Sequence, residues 1–467
     1  MTSAAELIMA NAPTEETQQA RLESLKGKKC IWITAPCIPG MSNQMASSAQ
    51  WVMDHGVELW GCFETEEDAL YKVMKERKVF DKALFADLSG EDACDNIVKA
   101  ATEAGVTFDI VFSPYEHCIT LIGEVAAALG LHGNPAKAYR DARSKNLTRV
   151  ATAAAGLATP RSGVAKSEEE LAETVERVGF PCILKPSSGA GSCGVLRADT
   201  MEEATKAFNT ITADLAKNAM LKWNPGCDEC AVLVEQCLIG HEFDVDCLMW
   251  DGEAKYIQVV DNWPCIAPYY LETGSQMPSR FTEEEVASLK NYAVDCVRAL
   301  GFHSGCFHVE VMLTSEGPVL IEVNARQGGG PNQVFNLEMH GVNIFENYFL
   351  ALAGVPINPP RKECDYAMAD YAITSPFTGT LVDDKHMDAI KAHPNVYSTQ
   401  DFAKVGSKVS GLDSGFPQWI NQFIVKGDSP EHCAEIINSL IDGIEKRINI
   451  VEATEEPEQE APVADEE

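Results

Sequence analysis

Between Lys28 and about Tyr139, short apolar runs alternate with amphipathic stretches of helical period. The runs Cys30–Thr34, Val57–Phe63, Lys82–Phe85 and Asp109–Phe112 read as strands; Asn43–His55, Glu66–Glu76, Glu91–Ala104 and Ile119–Leu129 read as helices. That alternation predicts a small parallel α/β domain over residues 28–139. Ala35–Gly40, Glu64 and Ser113–His117 then fall at strand carboxyl ends, where such sheets receive ligands. Further on, helices are predicted at Ser144–Ala155, Glu168–Val178, Met201–Leu215 and Glu283–Leu300. Strands are predicted at Phe180–Lys185, Ala231–Glu235 and Glu242–Met249. Tyr256–Thr273 is aromatic-rich and reads as irregular sheet and loop. Pro356–Pro360 reads as a linker, Tyr366–Val425 as short strands and turns, and Pro430–Asn449 as a helix.

The most informative pattern is an acidic hairpin. Cys306–Leu313 is an apolar strand carrying Glu310, and Ile321–Arg326 is a second strand whose alternation puts Glu322 and Asn324 on one face. Pro318 cannot donate to a ladder, which suggests a five-residue loop, Thr314–Pro318. Pairing Leu313 with Val319 then sets Glu310 opposite Glu322. Like charges across a ladder repel. Either a hard cation sits between them, with Glu310, Glu322 and Asn324 as oxygen ligands suited to Mg²⁺, or the hairpin turns its acids to solvent. The turn Gly328–Gly330 follows, without bulky side chains, so backbone can approach a substrate there.

Composition narrows the classes. A chain of 467 residues, 45% hydrophobic and 23% charged, implies two or three soluble globular domains. A formal charge of -33 argues against nucleic acid as a partner. The tail Glu452–Glu467 and the opening 1–27 are expected to be disordered. No apolar run suits a bilayer and no leader is evident, so no membrane partner and a cytoplasmic location are expected. The sixteen cysteines are expected to be reduced. Cys227 and Cys230 have metal-like spacing, but only Cys237 and His241 follow nearby, and a mobile loop is the preferred reading.

Gly189–Gly194 matches the dinucleotide fingerprint, but Val195–Arg197 continues as strand where a helix is required, so that reading fails. A P-loop fails because no Lys-Ser or Lys-Thr follows, and the protein-kinase sequences are absent. What remains is Lys185 at the base of a Gly-rich turn. Such a turn either folds its amides over phosphates or is a flexible hairpin, with Cys193 a small filler.

Taken in order, several pieces become specific: Lys145 within Arg143–Leu147, Lys185 with its turn, Val234–Glu242, then Glu310, Glu322, Asn324 and Arg326. This order resembles the ATP-grasp superfamily, and within it the carboxylate–amine ligases that join amino acids. The resemblance covers about Lys28 to Asn449. It implies an α/β fold of the α+β ATP-grasp kind: an N-terminal parallel α/β domain (28–139), a central ATP-grasp domain (140–360) with a lid at about 160–240, and a small C-terminal α+β domain (361–450). Lys145 and Lys185 would contact ATP phosphates under a turn that includes Ser188, Gly189, Gly191 and Ser192. Glu235, Gln236 and Leu238 would meet the adenine, and Glu242 the ribose. Glu310, Glu322 and Asn324 would hold two Mg²⁺, with Mn²⁺ as an alternative ion, and Arg326 would stabilise an acyl phosphate.

The segment Asp261–Gly274 is similar to one that approaches the substrate amine in such ligases. Glu272 is therefore the candidate ammonium partner, or else a solvated loop acid; Trp263, Tyr269 and Tyr270 wall the pocket or pack between domains. His308, Gly328 and Gly329 lie on the substrate side, although a lone His is also a common core residue. The implied activity is that of an ADP-forming carbon–nitrogen ligase taking a small carboxylate and an amine, amino acids by preference, with a homodimer as a compatible assembly. The alternatives are a carboxylase or formyltransferase of the same fold, a phosphotransferase, or an ATP-binding regulator without turnover.

Overall fold

The computed structural model describes residues 3–34, 42–189, 194–217, 231–414 and 417–451. The expected tail, the Ala35–Gly40 loop, Gly191, Ser192, Cys193, Cys227 and Cys230 lie outside them. Among the described residues, no helix is long and apolar enough to cross a membrane.

Four parallel strands, β1 (Lys29–Ile33), β2 (Glu58–Phe63), β3 (Lys82–Phe85) and β4 (Ile110–Phe112), form the first sheet in the order β3-β2-β1-β4. The chain reverses direction across the sheet between β1 and β4, the usual place for a crevice at the strand carboxyl ends. Ser113–His117 leave β4 at that point.

The opening residues depart from the expectation of disorder. Ala4–Ala10 and Glu15–Glu23 are helices, the first closed by a capping box from Ser3 and Glu6, the second capped by Thr14. Arg21 is fully buried. It donates to Asn11 Oδ1 (2.7 Å), Gln18 Oε1 (2.8 Å) and the carbonyls of Ala12 (3.2 Å) and Asn358 (3.0 Å). Composition points to disorder because apolar residues are few here; a polar anchor orders the segment instead.

The lid sheet contains β5 (Ser162–Ala165), β6 (Cys182–Pro186), β7 (Leu196–Ala198) and β8 (Val232–Gln236), antiparallel in the order β5-β8-β6-β7. The helices Glu168–Val178 and Met201–Lys217 share with it a small core of their own that includes Leu171, Val175, Leu184, Phe208 and Val234.

The largest sheet is antiparallel and has eight strands. Five come from the middle of the chain: β9 (His241–Trp250), β10 (Glu253–Asn262), β11 (Ser275–Met277), β12 (Gly305–Thr314) and β13 (Gly317–Asn324). Three come from beyond residue 360: β14 (Ala367–Thr374), then β15 (Val396–Asp401) and β16 (Trp419–Gly427). In space the order is β13-β12-β9-β10-β11-β14-β16-β15. The C-terminal segment therefore joins the central sheet through β11, while Ile373, Phe423, Val425, Cys433 and Ile437 belong to a core of its own. β10 is one continuous strand with a register shift between Ala254 and Tyr256, and the loop part of the expected irregular sheet and loop begins after Asn262. The C-terminal helix closes at Ile441, earlier than its apolar pattern suggests.

One face of β9, β12 and β13 is apolar. Phe243, Val245, Cys247, Phe307, Val309, Val311 and Val323 enter a core that continues into the first sheet. Alternation sends their neighbours to the opposite face, where the site lies.

Candidate active site

The hairpin of β12 and β13 has Glu310 opposite Glu322, as the sequence suggests, but by another route. The turn has two residues, not five: Thr314 pairs with Gly317 and Leu313 with Pro318. Thr314 Oγ1 closes it by donating to the Gly317 carbonyl (2.9 Å) and accepting from the Glu316 amide (3.2 Å). Pro318 is tolerated because β13 is an edge strand. A bulge at Ile321 then adds one residue, so Val311 pairs with Leu320 and Glu310 with Glu322.

Across the sheet this builds two polar rows. Glu322, Glu310 and Asp244 form one; Asn324, His308 and Asp246 form the other. Asp244 and Asp246 are missing from the sequence reading, although their signal was present: acids at 242, 244 and 246 of one strand share a face. Burial, then the facing Glu322, pushes Glu310 up to about 7. Burial opposes the charge on His308, but Asp244 and Asp246 outweigh it and lift the imidazole to about 10. His308 is thus a cation among acids, with Nδ1 3.0 Å from Asp246 Oδ1 and Nε2 3.8 Å from Asp244 Oδ1. The side-chain amide of Asn332 donates to Asp244 (3.0 Å), and that of Asn336 to Asp246 (2.9 Å). Gly328 packs directly on this network: a Cβ there would lie 2.6 Å from His308 Nδ1.

Cations face these acids across a cleft. Lys145 begins the helix Lys145–Ala154 behind a Ser144 cap and reaches Glu322 Oε1 (2.6 Å) and the Gly189 carbonyl (3.2 Å). Lys185 of β6 pairs with Glu235 Oε1. Arg149, which the sequence reading missed, bonds the other oxygen of Glu235 through Nε (3.2 Å) and Nη2 (2.9 Å). Burial disfavours the Glu235 carboxylate, yet the two cations hold it down to about 2. For Lys185, burial dominates and lowers its affinity for the proton. Arg143 donates to the Gly189 carbonyl (3.2 Å) and meets His117 Nδ1 at 3.2 Å. Burial, reinforced by Arg143, lowers that imidazole to about 4 and keeps it neutral.

The cleft is lined by Lys145, Lys185, Gly189, Glu235, Gln236, Leu238, Glu242, Glu272, Glu310 and Glu322, all candidates from the sequence. Ile183, Met312 and Ile321 add apolar wall, and Cys237, Cys265 and Tyr270 line it as well. Ser188, Asn324, Arg326, His308, Gly328 and Gly329 lie outside that lining. Arg326 instead donates through Nε to Glu116 Oε2 (2.5 Å), in the loop after β4. Glu116 gave no signal beyond its place at a strand carboxyl end.

Glu272 stands at the mouth. Its side chain is open to solvent, yet protein mass surrounds it, and that burial together with Asp244, Glu310 and Glu242 raises its carboxyl to about 8. Its carbonyl accepts from Trp419 Nε1 (2.9 Å), and Tyr269 OH donates to the Leu412 carbonyl (2.6 Å), so the C-terminal segment holds this loop at two points. Tyr270 between them has φ +52°, a conformation rare for an aromatic residue.

Two features bear on which ligands the residues present would fit. The Ser188 hydroxyl is buried without a partner among the described residues, beside two lysines. At the other end, no group of three or more His, Cys, Asp or Glu among the described residues could hold a metal alone. Two carboxylates and the Asn324 amide oxygen form an incomplete hard-oxygen set. Such a set suits Mg²⁺ when phosphate and water complete it.

Residues 178–333 match the family model of the ATP-grasp domain. Carnosine synthase 1 of Homo sapiens is 30% identical over 271 residues, covering 55% of this chain and 32% of that protein. Alanine–anticapsin ligase of Bacillus subtilis is 29% identical over 273 residues, covering 53% and 55%. The chain thus spans about a third of the first relative's length and about half of the second's. The crystal structure of an L-amino acid ligase from Bacillus licheniformis superposes with a TM-score of 0.71 at 20% identity, covering 92% of this chain and all of that one. At that identity the likeness is one of fold.

Proposed function

We propose that the chain, whose residues 178–333 match the ATP-grasp domain model, is an ATP-dependent, ADP-forming carboxylate–amine ligase that joins amino acids. The observation that carries this reading is the polarity of the cleft: Lys145 and Lys185 converge on one side, and on the other Glu310, Glu242 and Glu272 crowd together with raised proton affinity, a cluster that a bound cation would allow to ionise. Lysines and the Ser188 hydroxyl suit phosphates. Because both oxygens of Glu235 are engaged by Arg149 and Lys185, the adenine would be read by the backbone of Gln236–Leu238, between the walls of Ile183 and Met312, with Glu242 toward the ribose.

Glu310, Glu322 and Asn324 would hold Mg²⁺, two ions in our reading, supplying charge neutralisation on phosphate oxygens. Arg326, held by Glu116, would face the activated carboxylate, and preorganised positive charge there lowers the barrier of acyl transfer. Glu272 would anchor the incoming ammonium, and the Gly328–Gly329 backbone would lie beside the substrate. The relatives named as an alanine–anticapsin ligase and a carnosine synthase support amino acids as the substrate class.

The test is phosphate release from ATP across a panel of amino acids, offered singly and in pairs. Release that needs two amino acids is expected. Release driven by bicarbonate or formate with an amine would overturn the reading in favour of carboxyl or formyl transfer.

A further inference from the structure

Resting on the reading of the cleft as a site for ATP and Mg²⁺, we propose that Arg149, together with Tyr292, is a positioning residue. It ties the nucleotide end of the cleft to the acidic end by holding β13 in its bulged register.

β13 is the edge of the eight-stranded sheet, so half of its backbone groups find no partner strand. Its register matters more than usual. In the register that runs up from the turn, Glu310 would stand opposite Ile321 and Glu322 opposite Val309. A one-residue slip turns every following side chain to the other face. Glu322 and Asn324 would then point into the apolar core beside Val309. The extra residue at Ile321 is what puts both side chains on the face of Glu310.

Two side chains from outside the sheet grip the strand at that residue. Arg149 Nη2 donates to the Ile321 carbonyl at 2.6 Å, and the Leu320 amide donates to Tyr292 OH at 2.9 Å. Tyr292, on the helix Glu283–Ala299, passes its own proton to the Ala158 carbonyl and so presents a lone pair to Leu320. The same Arg149 guanidinium holds Glu235, which holds Lys185. A single buried planar group therefore joins the lid strand β8 to the bulge next to Glu322. Nη2 makes both the Glu235 and the Ile321 bond and Nε adds a second bond to Glu235; lysine ends one atom short of Nη2 and has no Nε donor, so it loses part of this set.

The experiment is calorimetric binding of ADP to the full chain at a series of Mg²⁺ concentrations, which requires no turnover. Arg149→Lys is expected to raise the Mg²⁺ needed for half-maximal ADP binding about tenfold or more, the usual scale for residues that orient metal ligands. It should also weaken binding without Mg²⁺. Tyr292→Phe removes the bulge contact together with the Ala158 contact but leaves Arg149, Glu235 and Lys185 in place, and should raise the Mg²⁺ requirement severalfold while leaving Mg²⁺-free ADP affinity unchanged. An unchanged Mg²⁺ requirement in Tyr292→Phe overturns the proposal, even where Arg149→Lys fails to fold by circular dichroism. So does an Arg149→Lys loss that is equal with and without Mg²⁺. Absence of ADP binding by the unaltered chain would overturn the functional reading, and this inference with it.

Discussion

Lys145 Nζ stands 2.6 Å from Glu322 Oε1, both side chains largely withdrawn from water. Burial works against the Glu322 charge and Lys145 restores it, holding that carboxyl below its ordinary range. Breaking such a pair leaves an uncompensated carboxylate, at a cost of about 3 kcal/mol or more. Lys145→Met should lower the unfolding free energy in urea by that order, and added Mg²⁺ should recover part of the loss. Stability equal to the parent chain would mean the pair is weaker than its geometry indicates.

The role proposed for Arg326 predicts that binding and chemistry come apart. Its guanidinium faces Glu116 and lies outside the cleft lining, so Arg326→Ala should leave ATP affinity nearly unchanged. Turnover should fall on the order of a hundredfold, the scale of losing one preorganised donor at a developing charge. Equal losses in ATP binding and in rate would remove Arg326 from that role.

The proposed role of Glu272 predicts a pH-dependent recognition of the amine. Its carboxyl is raised toward about 8, so the neutral form prevails at low pH and the charge appears, at a cost to the fold, as pH rises from the ordinary carboxylate range through that value. An ammonium partner needs the charged form. Affinity for the amine substrate should therefore climb by up to tenfold per pH unit and level off below 8, because solvent reaches this side chain. The facing Asp244, Glu310 and Glu242 sharpen the effect and His308 opposes it. Glu272→Gln should flatten most of the profile in Kd; a slope as steep as the parent's would assign the titration elsewhere.

Gly328→Ala tests the turn over the His308–Asp246 pair. The added methyl would meet His308 Nδ1 at 2.6 Å and Asp246 Oδ1 at 3.0 Å. Overpacking of this kind costs about 1–3 kcal/mol. The melting temperature should drop, and KM for the carboxylate substrate should rise more than KM for ATP. A thermally neutral variant with normal kinetics would show that the turn moves aside freely.

Part of the cleft's lining was legible in the sequence. Strand alternation singled out Glu322 with Asn324, and the family resemblance singled out Lys145, Lys185 and Glu235; of these, all but Asn324 line the cleft. Glu116 and Arg149 were not legible, because neither belongs to a local pattern; each acquires meaning only from a partner far along the chain, Arg326 in one case and Glu235 with Ile321 in the other. The helices at Ala4–Ala10 and Glu15–Glu23 were missed for a related reason, since Arg21 reaches the Asn358 carbonyl and Gln18 the Glu346 carboxylate, both far along the chain.

The acidic hairpin shows where the division lies. Sequence alone determined that Glu322 and Asn324 would share one face, because side-chain direction along a strand depends only on parity; whether Glu310 joins them depends on the pairing between strands. It did not determine the register. The assumed five-residue loop and the observed two-residue turn with a bulge both bring Glu310 opposite Glu322, and only the second is real. The bulge exists because Arg149 and Tyr292, from helices elsewhere in the chain, satisfy backbone groups that the sheet edge leaves unpaired. Hydrogen bonds of that kind are formed by the assembled fold, and no stretch of β13 encodes them.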